Sequence, residues 1–169
     1  NLFDQVSQVR ARGELFILWA GRMLETRGAD YAIEFVESMP EGKHELRSKR
    51  ELMGRLAAQL VPVDIDRAVS FAERNADKPA GTKVGYYLVG RWGHEDGPAA
   101  MAWATSGKAP NAFRVVERAW RSFSIADREA ARSWMASQPY SKAIEPAYAS
   151  YLVGMARDDY RRALELASK

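Results

Sequence analysis

The sequence predicts an all-α protein, a right-handed α-α superhelix (solenoid) of about five helix-turn-helix repeats of 31–36 residues. Three observations carry that expectation. An alanine column, Ala32, Ala68, Ala100, Ala131 and Ala163, recurs at spacings of 36, 32, 31 and 32 residues, and Phe35, Phe71, Trp103, Trp134 or Leu166 stands three residues after each. Four residues before each alanine stands Gly28, Asp64, Asp96, Asp127 or Asp159. The tetrapeptide Tyr87-Leu88-Val89-Gly90 returns 64 residues later as Tyr151-Leu152-Val153-Gly154, twice a period of 32.

Each aspartate of the second column predicts a helix N-terminus. Its carboxylate accepts hydrogen bonds from first-turn N–H groups that have no partner within the helix, and it faces the positive end of the helix dipole. Glycine is tolerated at the same place. The helix that follows, helix B, carries the alanine, the aromatic and the next residue (Val36, Ala72, Ala104, Met135, Ala167) as one apolar stripe at i, i+3, i+4.

Helix A is read upstream of each cap. One column is Leu24, Leu60, Trp92, Phe123, Met155; three residues earlier stand Gly21, Ala57, Val89, Trp120, Leu152, and four earlier Ala20, Leu56, Leu88, Ala119, Tyr151. Pro40, Pro79, Pro110 and Pro139 follow helix B in four repeats and stop it. The resulting single array has repeats at about 14–42, 43–81, 82–112, 113–143 and 144–169, with residues 1–12 as an extra or partial N-terminal helix. Phe3 stands 32 residues before Phe35, and no polar capping helix follows the last helix B stripe, so the expectation is an excerpt of a longer array or ends masked by self-association. The structural role expected of Trp103, Trp134, Phe35 and Phe71 is packing between helices.

Composition narrows the function. The 169 residues carry 25 basic and 22 acidic side chains, a formal charge of +3. The excess is small and the signs alternate, so nucleic acid ranks below protein as a partner. The densest basic stretch, Lys43 to Arg55, also holds Glu45 and Glu51 and is expected to be a solvated helix face with i,i+4 pairs. No apolar run spans a bilayer, so no membrane span is expected. Zero cysteine excludes disulfides and thiolate metal sites, and leaves cytoplasm and periplasm both compatible.

Motifs for chemistry fail on inspection. His44-Glu45 and His94-Glu95 lack the second histidine that a zinc-binding helix needs four residues on. Gly107-Lys108 lacks both flanks of a phosphate loop, and no Gly-x-Ser-x-Gly is present. Glu34, Glu37 and Glu41 read as an outer face, since paired-carboxylate chemistry needs a pocket. The segment Gly93 to Gly97 reads as a turn before a capped helix. The expectation is no enzyme, with no catalytic residue, metal or cofactor and no small-molecule substrate.

The helix B segments Asp64-Ile-Asp-Arg-Ala-Val-Ser-Phe71, Asp96-Gly-Pro-Ala-Ala-Met-Ala-Trp103 and Asp127-Arg-Glu-Ala-Ala-Arg-Ser-Trp134 are similar to helix B of SEL-like repeats, a branch of the tetratricopeptide superfamily. Asp159 to Leu166 is a weaker copy. The glycine-rich turn before the aspartate and the full Trp-Leu-Gly-Tyr spacing of tetratricopeptide helix A are absent, and HEAT-like helical repeats are the alternative. The resemblance implies a non-catalytic, curved protein- or peptide-binding scaffold. The runner-up is a repeat domain that positions another part of a larger enzyme or sensor; an Arg-lined nucleic-acid-binding solenoid comes third. On helix A, outside the apolar columns, stand Trp19, Arg22, Arg55, Tyr87, Arg91, Arg118 and Arg121. Arginine and aromatic residues are enriched in interface hot spots, so these are the candidate partner-binding residues, suited to acidic segments. A further group, Tyr140, Tyr148, Tyr151 and Tyr160, is expected to cover the final helices.

Overall fold

The computed structural model describes residues 9–42, 45–109 and 111–168. Among them every regular element is helical: α1 (Val9–Ser38), α2 (Glu45–Leu60), α3 (Ile65–Arg74), a 3₁₀ turn (Pro79–Lys83), α4 (Val84–Glu95), α5 (Gly97–Thr105), α6 (Ala112–Ala126), α7 (Arg128–Ser137), α8 (Glu145–Asp158) and α9 (Tyr160–Ala167). No helix among the described residues is long and apolar enough to cross a membrane. The chain forms two compact units, Asn1–Arg91 and Trp92–Lys169. Pro110 and His44 lie outside the described residues, as do residues 1–8; residues 9–12 run continuously into α1.

The aspartate column sets the local geometry four times over. Asp64, Asp96, Asp127 and Asp159 have φ between −161° and −143° and ψ between 87° and 98°. In each, one carboxylate oxygen accepts the N–H three residues on, from Arg67, Ala99, Ala130 and Arg162, at 2.9–3.0 Å. The N–H of each aspartate donates to the carbonyl four residues back, that of Leu60, Trp92, Phe123 or Met155, at 2.7–2.9 Å. The same residue thus finishes helix A and begins helix B. Removing such a cap costs about 1 kcal/mol.

Gly28 replaces aspartate in the first copy, and its backbone differs. At φ 81° and ψ 170° it breaks α1 into two helical segments. A side chain strongly disfavours that positive φ, so glycine is required where the chain turns here without a carboxylate cap.

In the first unit α2 packs against α1, α3 and the 3₁₀ turn. Its core holds Phe16, Val36, Leu52, Leu56, Leu60 and Phe71, all at most 1% exposed. Lys49 on α2 departs from the solvated face expected of its stretch. It is buried, and its ammonium donates to the carbonyls of Glu37 and Met39, both at 2.8 Å, and to Glu41 Oε1 at 2.9 Å. The α1 C-terminus presents carbonyls that no helical N–H reaches, and the negative end of its dipole favours a cation there. That demand draws the lysine inward. The carboxylate of Glu37 in turn receives Arg74 Nε at 2.9 Å and the buried Asn75 Nδ2 at 2.8 Å, which ties the ends of α1 and α3 together. Glu37 is therefore a structural partner, not part of a solvated carboxylate face.

In the second unit successive helix pairs lie side by side, α5 against α7 and α6 against α8, with α6 also packed on α5 and α7, and α8 on α9. Met101, Val115, Val116, Ala119 and Met135 are buried between them. Across the chain the alanine column is buried in all five copies, from 0% exposed at Ala32, Ala68, Ala100 and Ala131 to 5% at Ala163. The next column is uneven: Phe71 is 0% and Trp103 7% exposed, but Phe35 is 40% exposed and rests on Trp19 and Tyr31. The packing role expected of Phe35 is thus only partly met.

Candidate functional site

Five of the seven candidate partner-binding residues lie in the first unit, and the structure brings two of them together. Arg55 from α2 places its guanidinium 4.6 Å from the centre of the Tyr87 ring on α4. Both engage Glu51: Arg55 Nε donates to Oε1 at 3.2 Å, and the Tyr87 hydroxyl donates to the same oxygen. Lys83 completes the group, with Nζ 2.9 Å from Glu51 Oε2. Gly54 makes the arrangement possible, because a Cβ there would stand 2.4 Å from a Tyr87 ring carbon. Of the others, Trp19 is half-buried against Phe35 at 5.1 Å between ring centres, and Arg22 and Arg91 are exposed.

The Glu51 group is closed on itself. Burial opposes the Glu51 carboxylate, yet the hydrogen bonds from Tyr87 and Lys83 and the charges of Lys83 and Arg55 prevail and hold its pKa below the ordinary value. Burial, and then the hydrogen bond to Glu51, push Tyr87 up to about 12. Tyr87 ionises near 10 once unfolded, so the stability it contributes is complete below pH 10 and is lost as pH rises through 12. Glu51 contributes in the opposite direction: its share is present above 4.5 and disappears as pH falls through its lowered native value. Tyr87→Phe is therefore expected to lower stability at pH 7 by about 1–2 kcal/mol. It should also remove the alkaline step that urea unfolding of the unaltered chain shows between pH 10 and 12. Identical curves for both proteins across that window would refute this assignment.

In the second unit Arg118 is half-buried and Arg121 exposed, both on α6. Neither lines the polar cleft that the fold does build there. That cleft, of about 290 Å³, lies among α6, α7 and α8. Arg128 and Arg132 face it from the first turns of α7 and Arg157 from the last turn of α8, with Ser124, Ser150 and Tyr151 beside them. Trp120 forms one wall, its ring edge-on to Tyr151 at 6.1 Å. Asp158 is the one acid in the lining, and it pairs with Arg132. The hydrogen bond and the charge of Arg132, helped by Arg128 and Arg157, lower the Asp158 pKa. Arg128 and Arg157 make no hydrogen bond or ion pair with another described residue. The Ser124 hydroxyl is buried without a hydrogen-bond partner among the described residues.

These groups suit binding. Two guanidinium groups that make no direct ion pair, with the hydroxyls of Ser150 and Tyr151 beside them, can hold an oxyanion, and arginine does so with paired, planar hydrogen bonds. The only carboxylate present is a weak base, and no histidine lines the cleft. No group of three His, Asp or Glu side chains able to hold a metal occurs among the described residues. Sequence reading missed Arg128, Arg132 and Arg157. Helical spacing places Arg128 and Arg132 on one face of α7, but only the packing of α8 brings Arg157 to them. The tyrosine group is partly gathered: Tyr140 and Tyr148 lie 5.4 Å apart and Tyr148 and Tyr151 6.0 Å between ring centres, but Tyr140 and Tyr160 are both exposed.

Comparison of the chain with protein-family models, with curated proteins and with solved structures finds no match in any of the three.

Proposed function

We propose that the chain is a non-catalytic scaffold, a right-handed stack of SEL-like or tetratricopeptide-like helix pairs, that binds an acidic segment of a protein or peptide. The observation that carries the reading is the arginine cleft of the second unit, where three arginines face one carboxylate and only Arg132 is in direct ion pair with it. The side-by-side packing of α5 on α7 and α6 on α8 supports the stacked architecture. The cleft replaces Arg118 and Arg121 as the favoured contact point, because neither of them lines it. In the first unit, Arg55 and Tyr87 are already engaged by Glu51.

Fluorescence anisotropy with a labelled glutamate-rich peptide tests the reading. Arg128→Glu with Arg157→Glu is expected to weaken binding by about tenfold or more, since reversal replaces attraction with repulsion. Arg91→Glu with Arg121→Glu should leave it within about twofold, as charges outside the contact act only through a screened field. Equal affinity in the first double variant and the unaltered chain would reject the cleft.

A further inference from the structure

We infer that the cleft of the second unit is a receptor for a phosphorylated side chain on such a peptide, with Asp158 as its built-in competitor. The inference rests on the reading of that cleft as the site for acidic segments, and it names the anion. Three features select it. The first is charge. Three arginines and one aspartate leave the lining with two positive charges in excess. A phosphomonoester carries roughly −1.5 to −2 at neutral pH, whereas a carboxylate carries one negative charge. The second is the number and type of donors. Arg128 and Arg157 bring two guanidinium forks, and the exposed Ser150 lines the cleft beside them with a hydroxyl. Three phosphoryl oxygens can use these donors together, while a carboxylate offers only two oxygens. The third is exposure. The last turn of α8 and the first turn of α7 leave Arg157 and Arg128 exposed, so a side chain on a peptide can reach them from solvent.

The main-chain N–H groups at the start of α7 are not the basis of this site. That of Ala130 is already taken by Asp127 at 2.9 Å, so the selectivity lies in the side chains. Asp158 holds Arg132 in the unliganded chain and sets a negative charge beside the incoming phosphoryl group. An arriving dianion therefore has to overcome that charge, and it gains Arg132 as it does so.

The test uses three labelled peptides of one sequence, carrying phosphoserine, glutamate or serine at the central position, with the full chain. The phosphoserine peptide is expected to bind about tenfold more tightly than the glutamate peptide, and the serine peptide least. Arg128→Ala with Arg157→Ala should abolish the preference, with the far-UV circular dichroism unchanged. Arg128→Lys with Arg157→Lys keeps the charge but not the forks, and should lose about half of the preference on a logarithmic scale. Asp158→Asn should tighten phosphoserine binding by about threefold, by removing one nearby like charge. Equal or tighter binding of the glutamate peptide overturns the phosphate assignment and leaves the scaffold reading standing. Failure of all three peptides to bind overturns both. Displacement of the phosphoserine peptide by inorganic phosphate at the peptide's own dissociation constant overturns the peptide as the source of the anion.

Discussion

Lys49→Met is expected to lower the unfolding free energy by about 3 kcal/mol, because it strands two main-chain carbonyls and a carboxylate that share one buried ammonium. The Lys49 side chain is 6% exposed, and all three of its donors are engaged, by Glu37 O, Met39 O and Glu41 Oε1. Methionine keeps most of the apolar stem and so separates the loss of the donors from the loss of packing. Urea unfolding followed by circular dichroism measures the change. A loss below about 1 kcal/mol would mean that water reaches the α1 C-terminus once the ammonium is gone. Lys49→Arg should also be destabilising, since a planar fork cannot direct three donors to three acceptors arranged around one nitrogen.

The second large effect separates two members of one sequence column. Phe71→Ala is expected to cost about 3–5 kcal/mol, the range for emptying an aromatic site in a packed core. Phe35→Ala should cost about 1 kcal/mol, since part of its surface is in water already. The two share a register position, three residues after a buried alanine, yet Phe71 is 0% and Phe35 40% exposed. Parallel urea titrations of the two variants give the comparison, and equal losses would show that the exposure difference does not govern stability.

Local structure was the most legible level. A four-residue offset from aspartate to alanine, repeated at 31–36 residues, located the helix starts at Asp64, Asp96, Asp127 and Asp159, and each of these carboxylates accepts the N–H three residues on. That succeeded because a cap is a short-range device whose donor and acceptor lie within one turn. Burial at Phe35 was less legible, because a column is covered only where helices pack on both sides of it. Lys49 was misread for a related reason. Its stretch looks solvated by composition, but the orphan carbonyls that recruit it belong to Glu37 in the last turn of α1 and Met39 just beyond it, twelve and ten residues upstream. The i,i+4 pairing expected in that stretch does form between Glu51 and Arg55, but Tyr87, 36 residues further on, joins the same carboxylate only through tertiary packing. The cleft of the second unit was invisible for the same physical cause. Its arginines are 25–29 residues apart, from Arg128 and Arg132 to Arg157, and only tertiary packing gathers them.

The aspartate turns have a consequence for how such a chain changes over generations. Each turn is closed by hydrogen bonds that reach no further than four residues in either direction. A whole helix pair can therefore be duplicated or deleted in frame while every remaining turn keeps its bonds, provided that the exposed flanks still fit one another. The distance from one aspartate to the next, 31 or 32 residues, is the step by which such a chain could be lengthened or shortened without breaking a cap.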